Sequence, residues 1–134
     1  MLILGIGVDI LHLPRLISLL SRKGSDAFAA RILSTQELRS FQRLREQHGE
    51  DNTERIARFL GVRWAVKEAA YKALYPIRPT WKEIIYLPFS AATHAKPTLV
   101  YRPVSEALIP VDKLHVSVSH DGDYIFAQVI AEST

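Results

Sequence analysis

Leu, Ile and Val fill the first ten residues after Met1, interrupted only by Gly5, Gly7 and Asp9. That pattern predicts a buried strand over 2–10. The segment MLILGIGVDI has no basic leader and no cleavage site, so it reads as core. Pro14 suits the first turn of a helix, and Leu13, Leu16, Ile17 and Leu20 form one helical stripe that Gly24 can end. A short helical stretch follows around 28–33. Ser34-Thr35-Gln36-Glu37 has the form of a capping box, which predicts a helix carrying Leu38, Phe41 and Leu44 inward. HGEDNT, over 48–53, reads as a loop. A long helix is predicted from Glu54 to about Tyr75, where Pro76 forces a stop. Residues 76–79 are a connector.

The last third changes period. Residues 83–87 and 98–102 are strand-like, with a loop between them that ends at Lys96-Pro97. Residues 104–108 fit one helical turn or two. Leu114, Val116 and Val118 alternate with His115, Ser117 and Ser119, so the two sets occupy opposite faces of a strand. Asp121-Gly122 signals a tight turn before a second strand over 124–131, which predicts a hairpin with His120 at its tip. Helices come first and antiparallel strands second. The expectation is an α+β fold with helices packed on a small antiparallel sheet. No repeat or linker divides the chain, so 1–134 is expected to be one domain.

The chain's 134 residues fit one domain, and 48% hydrophobic with 23% charged residues excludes wholesale disorder. Absence of cysteine excludes disulfide frameworks, thiolate metal sites and cysteine nucleophiles. No membrane span is expected, since the apolar run over 84–95 is broken by Pro88 and falls short of the ~18 residues required. The net charge of +3 is only a mild preference for acidic partners. Its distribution says more. Between His12 and Arg45, seven basic residues (Arg15, Arg22, Lys23, Arg31, Arg39, Arg43 and Arg45) face only Asp26 and Glu37, giving +5. Such a stretch is either a solvated helical face or a docking surface for an acidic macromolecule.

Three motifs carry chemistry. In Ile6-Gly7-Val8-Asp9-Ile10 a carboxylate ends an apolar strand, and Gly7 allows something to approach the backbone closely. Asp9 is either a turn cap or a ligand. In Trp64-Ala65-Val66-Lys67-Glu68-Ala69-Ala70-Tyr71-Lys72, Glu68 and Lys72 are helical i, i+4 neighbours. They are either a surface ion pair or a carboxylate and ammonium suited to a metal-held diphosphate. Mg²⁺ is usually held by one or two carboxylates with phosphates and waters, and Asp9 and Glu68 make two. Lys67 lies ~100° around the helix from Glu68 and need not share the role. In Val116-Ser117-Val118-Ser119-His120-Asp121, the histidine either contacts a ligand or is a solvated turn residue.

Taken together and in order, these segments resemble the phosphopantetheinyl transferases of the small, stand-alone holo-acyl-carrier-protein synthase type. Gly7-Val8-Asp9 and Trp64 to Lys72 match the family's G-x-D and W/F-x-x-K-E-x-x-x-K patterns. Arg31-Ile32-Leu33-Ser34 with Glu37-Leu38 and Phe41, Trp81-Lys82-Glu83-Ile84, and the hairpin's V-S-x-S-H and A-Q-V segments extend the likeness over almost the whole chain. The resemblance implies Mg²⁺-dependent transfer of the 4′-phosphopantetheine arm of coenzyme A to a serine of apo acyl carrier protein, releasing adenosine 3′,5′-bisphosphate. It implies that Asp9 and Glu68 hold the metal and that Lys72 contacts the coenzyme A phosphates. Arg63, His120 and the adjacent Ser119 fall at nucleotide-lining positions. Arg15, with Arg22 and Arg31, falls on the surface that docks the carrier protein. Homotrimers with sites at subunit boundaries are also implied. Glu68, or a metal-bound water it orients, is the candidate acceptor of the serine proton. Asp9, Glu68 and Lys72 are therefore the expected catalytic set.

The chain departs from the family pattern in three places. Residues 47–53 are longer and acidic, Ala95-Lys96-Pro97 replaces G-K-P, and Asp121 follows the hairpin histidine where Ser or Thr is usual. An acidic side chain there would repel a phosphate, so Asp121 is expected to point away. The wording of 71–81 is closer to fungal mitochondrial members, which leaves cytoplasm and mitochondrial matrix both open. The competing readings are a basic nucleic-acid-binding module, disfavoured because the strands carry few Lys or Arg, and a catalytically silent trimeric scaffold, disfavoured by Asp9, Glu68 and Lys72 occurring together.

Overall fold

The computed structural model describes residues 2–48, 52–105 and 110–134. Strand β1 (Leu2–His12) leads directly into helix α1 (Leu13–Lys23), followed by α2 (Ser25–Ile32), α3 (Thr35–His48) and the long α4 (Thr53–Leu74). A single 3₁₀ turn, Trp81–Glu83, precedes β2 (Ile84–Leu87), β3 (Thr98–Tyr101), β4 (Val111–Asp121) and β5 (Tyr124–Ser133). The strands form one antiparallel sheet in the order β1-β5-β4-β3-β2. This is the α+β arrangement that the change of period predicts. The expected turn at 104–108 falls largely outside the described residues, as do 49–51 of the expected 48–53 loop, whose end residues His48 and Thr53 belong to α3 and α4.

The local signals in the first half are realised. Leu13, Leu16 and Leu20 of α1 are buried, and Gly24 ends the helix at φ 86°, a conformation that costs a residue with a Cβ more than glycine. The capping box at α3 is reciprocal. Ser34 N–H donates to Glu37 Oε1 at 2.9 Å, and Glu37 N–H donates to Ser34 Oγ at 3.3 Å. Phe41 is buried, whereas Leu38 and Leu44 are only partly so.

Helix α4 lies across the inner face of β1 and β5, and small residues permit this. Ala57, Gly61, Ala65, Ala69 and Ala73 recur every fourth position, forming one smooth ridge along the helix. The strand answers with Gly5 and Gly7. A Cβ on Gly7 would stand 1.9 Å from the Ala69 carbonyl oxygen, and one on Gly5 2.2 Å from that of Ala73. The close approach inferred for Gly7 is therefore the backbone of α4. At the other end of the ridge, a Cβ on Gly61 would meet Leu11 and Ile125 at 3.0 and 3.1 Å.

One expectation is corrected. Strand β1 is not buried on both sides. Its inner positions face α4, but Ile3, Ile6, Val8 and Ile10 project from the outer face and are 67%, 57%, 43% and 65% exposed. Phe126, paired with Ile10, extends this apolar face onto β5. A continuous apolar run cannot by itself distinguish burial within a chain from burial against a neighbour. Among the described residues, no helix is long and apolar enough to cross a membrane.

Candidate active site

Asp9 is the first inner-face position of β1 beyond the two glycines, and it falls beside α4 one turn before Ala69. Three motif residues meet there. Lys72 Nζ donates to Val8 O at 2.9 Å and lies 3.4 Å from Asp9 Oδ1. The i, i+4 geometry that puts Lys72 near Glu68 is used to reach across to the strand instead.

Two carboxylates share this corner. Asp9 is held above its ordinary pKa by partial burial, opposed by the Lys72 charge and hydrogen bond. Glu68 is raised first by partial burial and then by the Asp9 charge; a hydrogen bond from Trp64 and the Lys72 charge act against this. Two oxygen-ligand groups whose negative charges repel, offset by one half-exposed lysine, form a hard donor set that suits a divalent cation such as Mg²⁺. Beside Glu68 opens a cleft of about 510 Å³ whose walls include Lys67, Tyr71, Pro79, Thr80 and Trp81. Its lining is mostly apolar.

A profile of the 4′-phosphopantetheinyl transferase superfamily matches residues 5–129. The chain belongs to that superfamily. It is 37% identical over 131 residues to a holo-[acyl-carrier-protein] synthase of Geobacillus kaustophilus, covering 98% of this chain and 90% of the relative. It is 35% identical over 143 residues to 4′-phosphopantetheinyl transferase B, mitochondrial, of Aspergillus fumigatus, covering 96% and 93%. The crystal structure of a Bacillus anthracis holo-(acyl-carrier-protein) synthase in complex with CoA (3′,5′-ADP) superposes with a TM-score of 0.71 at 28% identity, covering 98% of each chain.

The remaining expected transferase residues separate. His120 pairs with Ile125, one pair inside the Asp121–Tyr124 pair that closes the hairpin, so it is near the tip rather than at it. Strand alternation puts His120 on the inner face with Asp9, displaced by two strands, or ~10 Å across the sheet. Ser119, paired with Phe126, stands on the outer face. One molecule on the inner face of this copy cannot meet both side chains. Strand alternation puts Asp121 on the Ser119 face, opposite to that of Asp9.

Arg63 is not at the corner. It is 6% exposed, its guanidinium stacks 3.5 Å from the Phe59 ring centroid, and its Nη1 donates to Phe59 O at 3.1 Å. Its Nε has no hydrogen-bond partner among the described residues, and burial lowers its pKa to about 10. Arg15 and Arg22 are exposed on α1 and border a hollow that Trp64 also lines, while Arg31 is exposed on α2.

The pair that motif spacing missed is Glu37–Lys67. Both are 2% exposed and 2.6 Å apart. Lys67 Nζ also donates to Ile32 O at 2.7 Å and Trp81 O at 2.9 Å, while Glu37 Oε2 accepts from Tyr86 N–H at 3.1 Å. The residue beside Glu68 thus pins α2, α3, the 3₁₀ turn and β2 to α4. The signal was a capping glutamate preceding an apolar helix face, matched by a lysine among the alanines of α4.

Proposed function

We propose that this chain transfers the 4′-phosphopantetheine arm of coenzyme A to a serine of an acidic apo acyl carrier protein, releasing adenosine 3′,5′-bisphosphate. The observation that carries the reading is the Asp9–Glu68–Lys72 corner beside an apolar cleft, in a chain of the transferase superfamily. Coenzyme A in the Bacillus anthracis structure supports it.

Asp9 and Glu68 are the residues that would hold Mg²⁺. The metal would supply charge neutralisation for the diphosphate as the phosphoanhydride bond breaks. Lys72, extended over Val8 and half-exposed, can turn its ammonium to a phosphate oxygen while remaining beside Asp9. Glu68 has a raised proton affinity and is the acceptor of the serine proton at a carboxylate oxygen. Tyr71, Pro79 and Trp81 give an apolar wall for the uncharged part of coenzyme A and exclude water there.

Arg15, Arg22 and Arg31 steer and dock the carrier protein. This surface is more basic by one charge than the sequence count implies, since Glu37 is buried on Lys67, which lies outside the counted stretch; the Asp26–Arg45 pair leaves the balance unchanged. The outer face of β1, together with Phe126, is the surface on which copies would associate as a homotrimer. In that assembly, His120, Ser119 and Arg63 are proposed to complete nucleotide sites at subunit boundaries, with Arg63 moving off Phe59 to do so. The chain acts as one domain in a compartment holding coenzyme A and carrier protein, either cytoplasm or mitochondrial matrix; the mitochondrial Aspergillus relative supports keeping the second.

Intact mass spectrometry tests the reaction. Apo acyl carrier protein incubated with the chain, coenzyme A and Mg²⁺ is expected to gain one phosphopantetheinyl group, and a chelator is expected to prevent it. No gain from a folded sample that also fails to bind coenzyme A overturns the reading.

A further inference from the structure

Ile84 and Ile85 point to opposite faces of β2, and each face borders a different hollow. Ile84 belongs to the cleft beside Glu68. On the other face, a polar hollow of about 370 Å³ is bordered by Arg39 of α3, Lys82 of the 3₁₀ turn and Arg102 just after β3. Ser34, Thr35 and Gln36 at the start of α3 line the same hollow.

The three cations come from three separate segments, and among the described residues no carboxylate lines the space. Among the described residues, none of the three side chains is in an ion pair or hydrogen bond. The nearby carboxylates are committed elsewhere. Glu37 is taken by Lys67, Ser34 N–H and Tyr86 N–H, and Glu83 by Thr80 and by Val104 N–H at 2.8 Å. Lys82 is also close enough to the buried Lys67 for its charge to depress that lysine's pKa. The fold thus gathers positive charge around a concave polar surface, with no counter-charge on it among the described residues.

We propose that this hollow is a binding site for a small phosphate-bearing anion, separate from the Asp9–Glu68–Lys72 corner. Two guanidinium groups offer planar pairs of donors that match phosphate oxygens, and the lysine adds a point charge. A phosphate dianion or a diphosphate matches three cations better than a single carboxylate does. The proposal stands independently of the transferase reading.

Isothermal titration of the full chain at constant ionic strength tests it, with inorganic phosphate, inorganic diphosphate and glycerol 1-phosphate as probes. Saturable binding is expected, weakened at least tenfold by combined Arg39→Gln, Lys82→Gln and Arg102→Gln, and unchanged by Lys72→Ala. Tighter binding of diphosphate than glycerol phosphate, or the reverse, assigns the source as an inorganic anion or a phosphate ester. Heat that follows ionic strength without saturation overturns the proposal. So does binding that is lost in Lys72→Ala and kept in the triple variant. Should the triple variant fail to fold, NMR titration of the parent decides: shifts centred on Ser34–Arg39, Lys82 and Arg102 support the site, and shifts confined to Asp9, Glu68 and Lys72 overturn it.

Discussion

At the scale of single residues, Glu68 separates chemistry from stability. Partial burial and the neighbouring Asp9 charge disfavour its ionised form in the folded chain. Glu68→Gln is expected to abolish transfer, measured as holo carrier protein formed, while leaving unfolding stability in a chelator equal to the parent's or higher by ~0.5 kcal/mol. Full Mg²⁺-dependent activity in this variant would overturn the metal assignment. Gly7 behaves in the opposite way. Gly7→Ala sets a methyl group 1.9 Å from the Ala69 carbonyl oxygen and is expected to cost ~3 kcal/mol or more in urea unfolding. Glu68 and Lys72 were legible as one helical face from their spacing, whereas Asp9 was joined to them only through the family resemblance, because spacing along a strand does not say which helix packs against it. The position of Arg63 was not legible, since nothing in its spacing distinguishes a guanidinium facing a ligand from one stacked on Phe59.

At the scale of elements, Glu37 and Lys67 bolt α2, α3 and β2 to α4. Removing one partner leaves a buried charge unpaired. Lys67→Met alone is expected to cost ~3–5 kcal/mol in urea unfolding, and the Glu37→Gln/Lys67→Met double variant less than the sum of the singles. A double variant as damaged as that sum would show that the two groups act separately. The capping box announced the start of α3, and the same glutamate proved to be the anchor of the whole helical layer. That second role depends on four elements meeting in space, which local pattern does not report. The small-residue ridge of α4 was visible as a four-residue repeat, and its partner glycines on β1 were visible too; pairing them requires knowing that helix and strand run side by side.

At the scale of the whole molecule, the outer face of β1 is the feature that sequence pattern misassigned. Ile6, Val8 and Ile10 read as interior residues, yet they form an exposed apolar face, which is the surface proposed above for association of copies. Ile6→Asp with Ile10→Asp is expected to turn an assembled species into monomers in analytical ultracentrifugation. If sites complete themselves across subunits, transfer falls in parallel. Unchanged sedimentation would remove this face as the contact. Docking of the acidic carrier protein on Arg15, Arg22 and Arg31 is expected to weaken steeply as salt rises from about 0.05 to 0.5 M, chiefly through the association rate.

The alignment of β1 with α4 also limits how such a chain can change over evolutionary time. Two residues of strand advance ~6.6 Å and four of helix ~6 Å, so Gly5 meets Ala73 and Gly7 meets Ala69 in step. The strand and helix act as paired rulers, with Asp9 as a mark on one and Glu68 on the other. A single residue inserted between Gly7 and Asp9 would turn the aspartate to the outer face, and one inserted between Glu68 and Ala69 would rotate the glutamate by ~100°. Length can therefore vary in the connections around this core, while the two rulers admit substitution but no insertion or deletion.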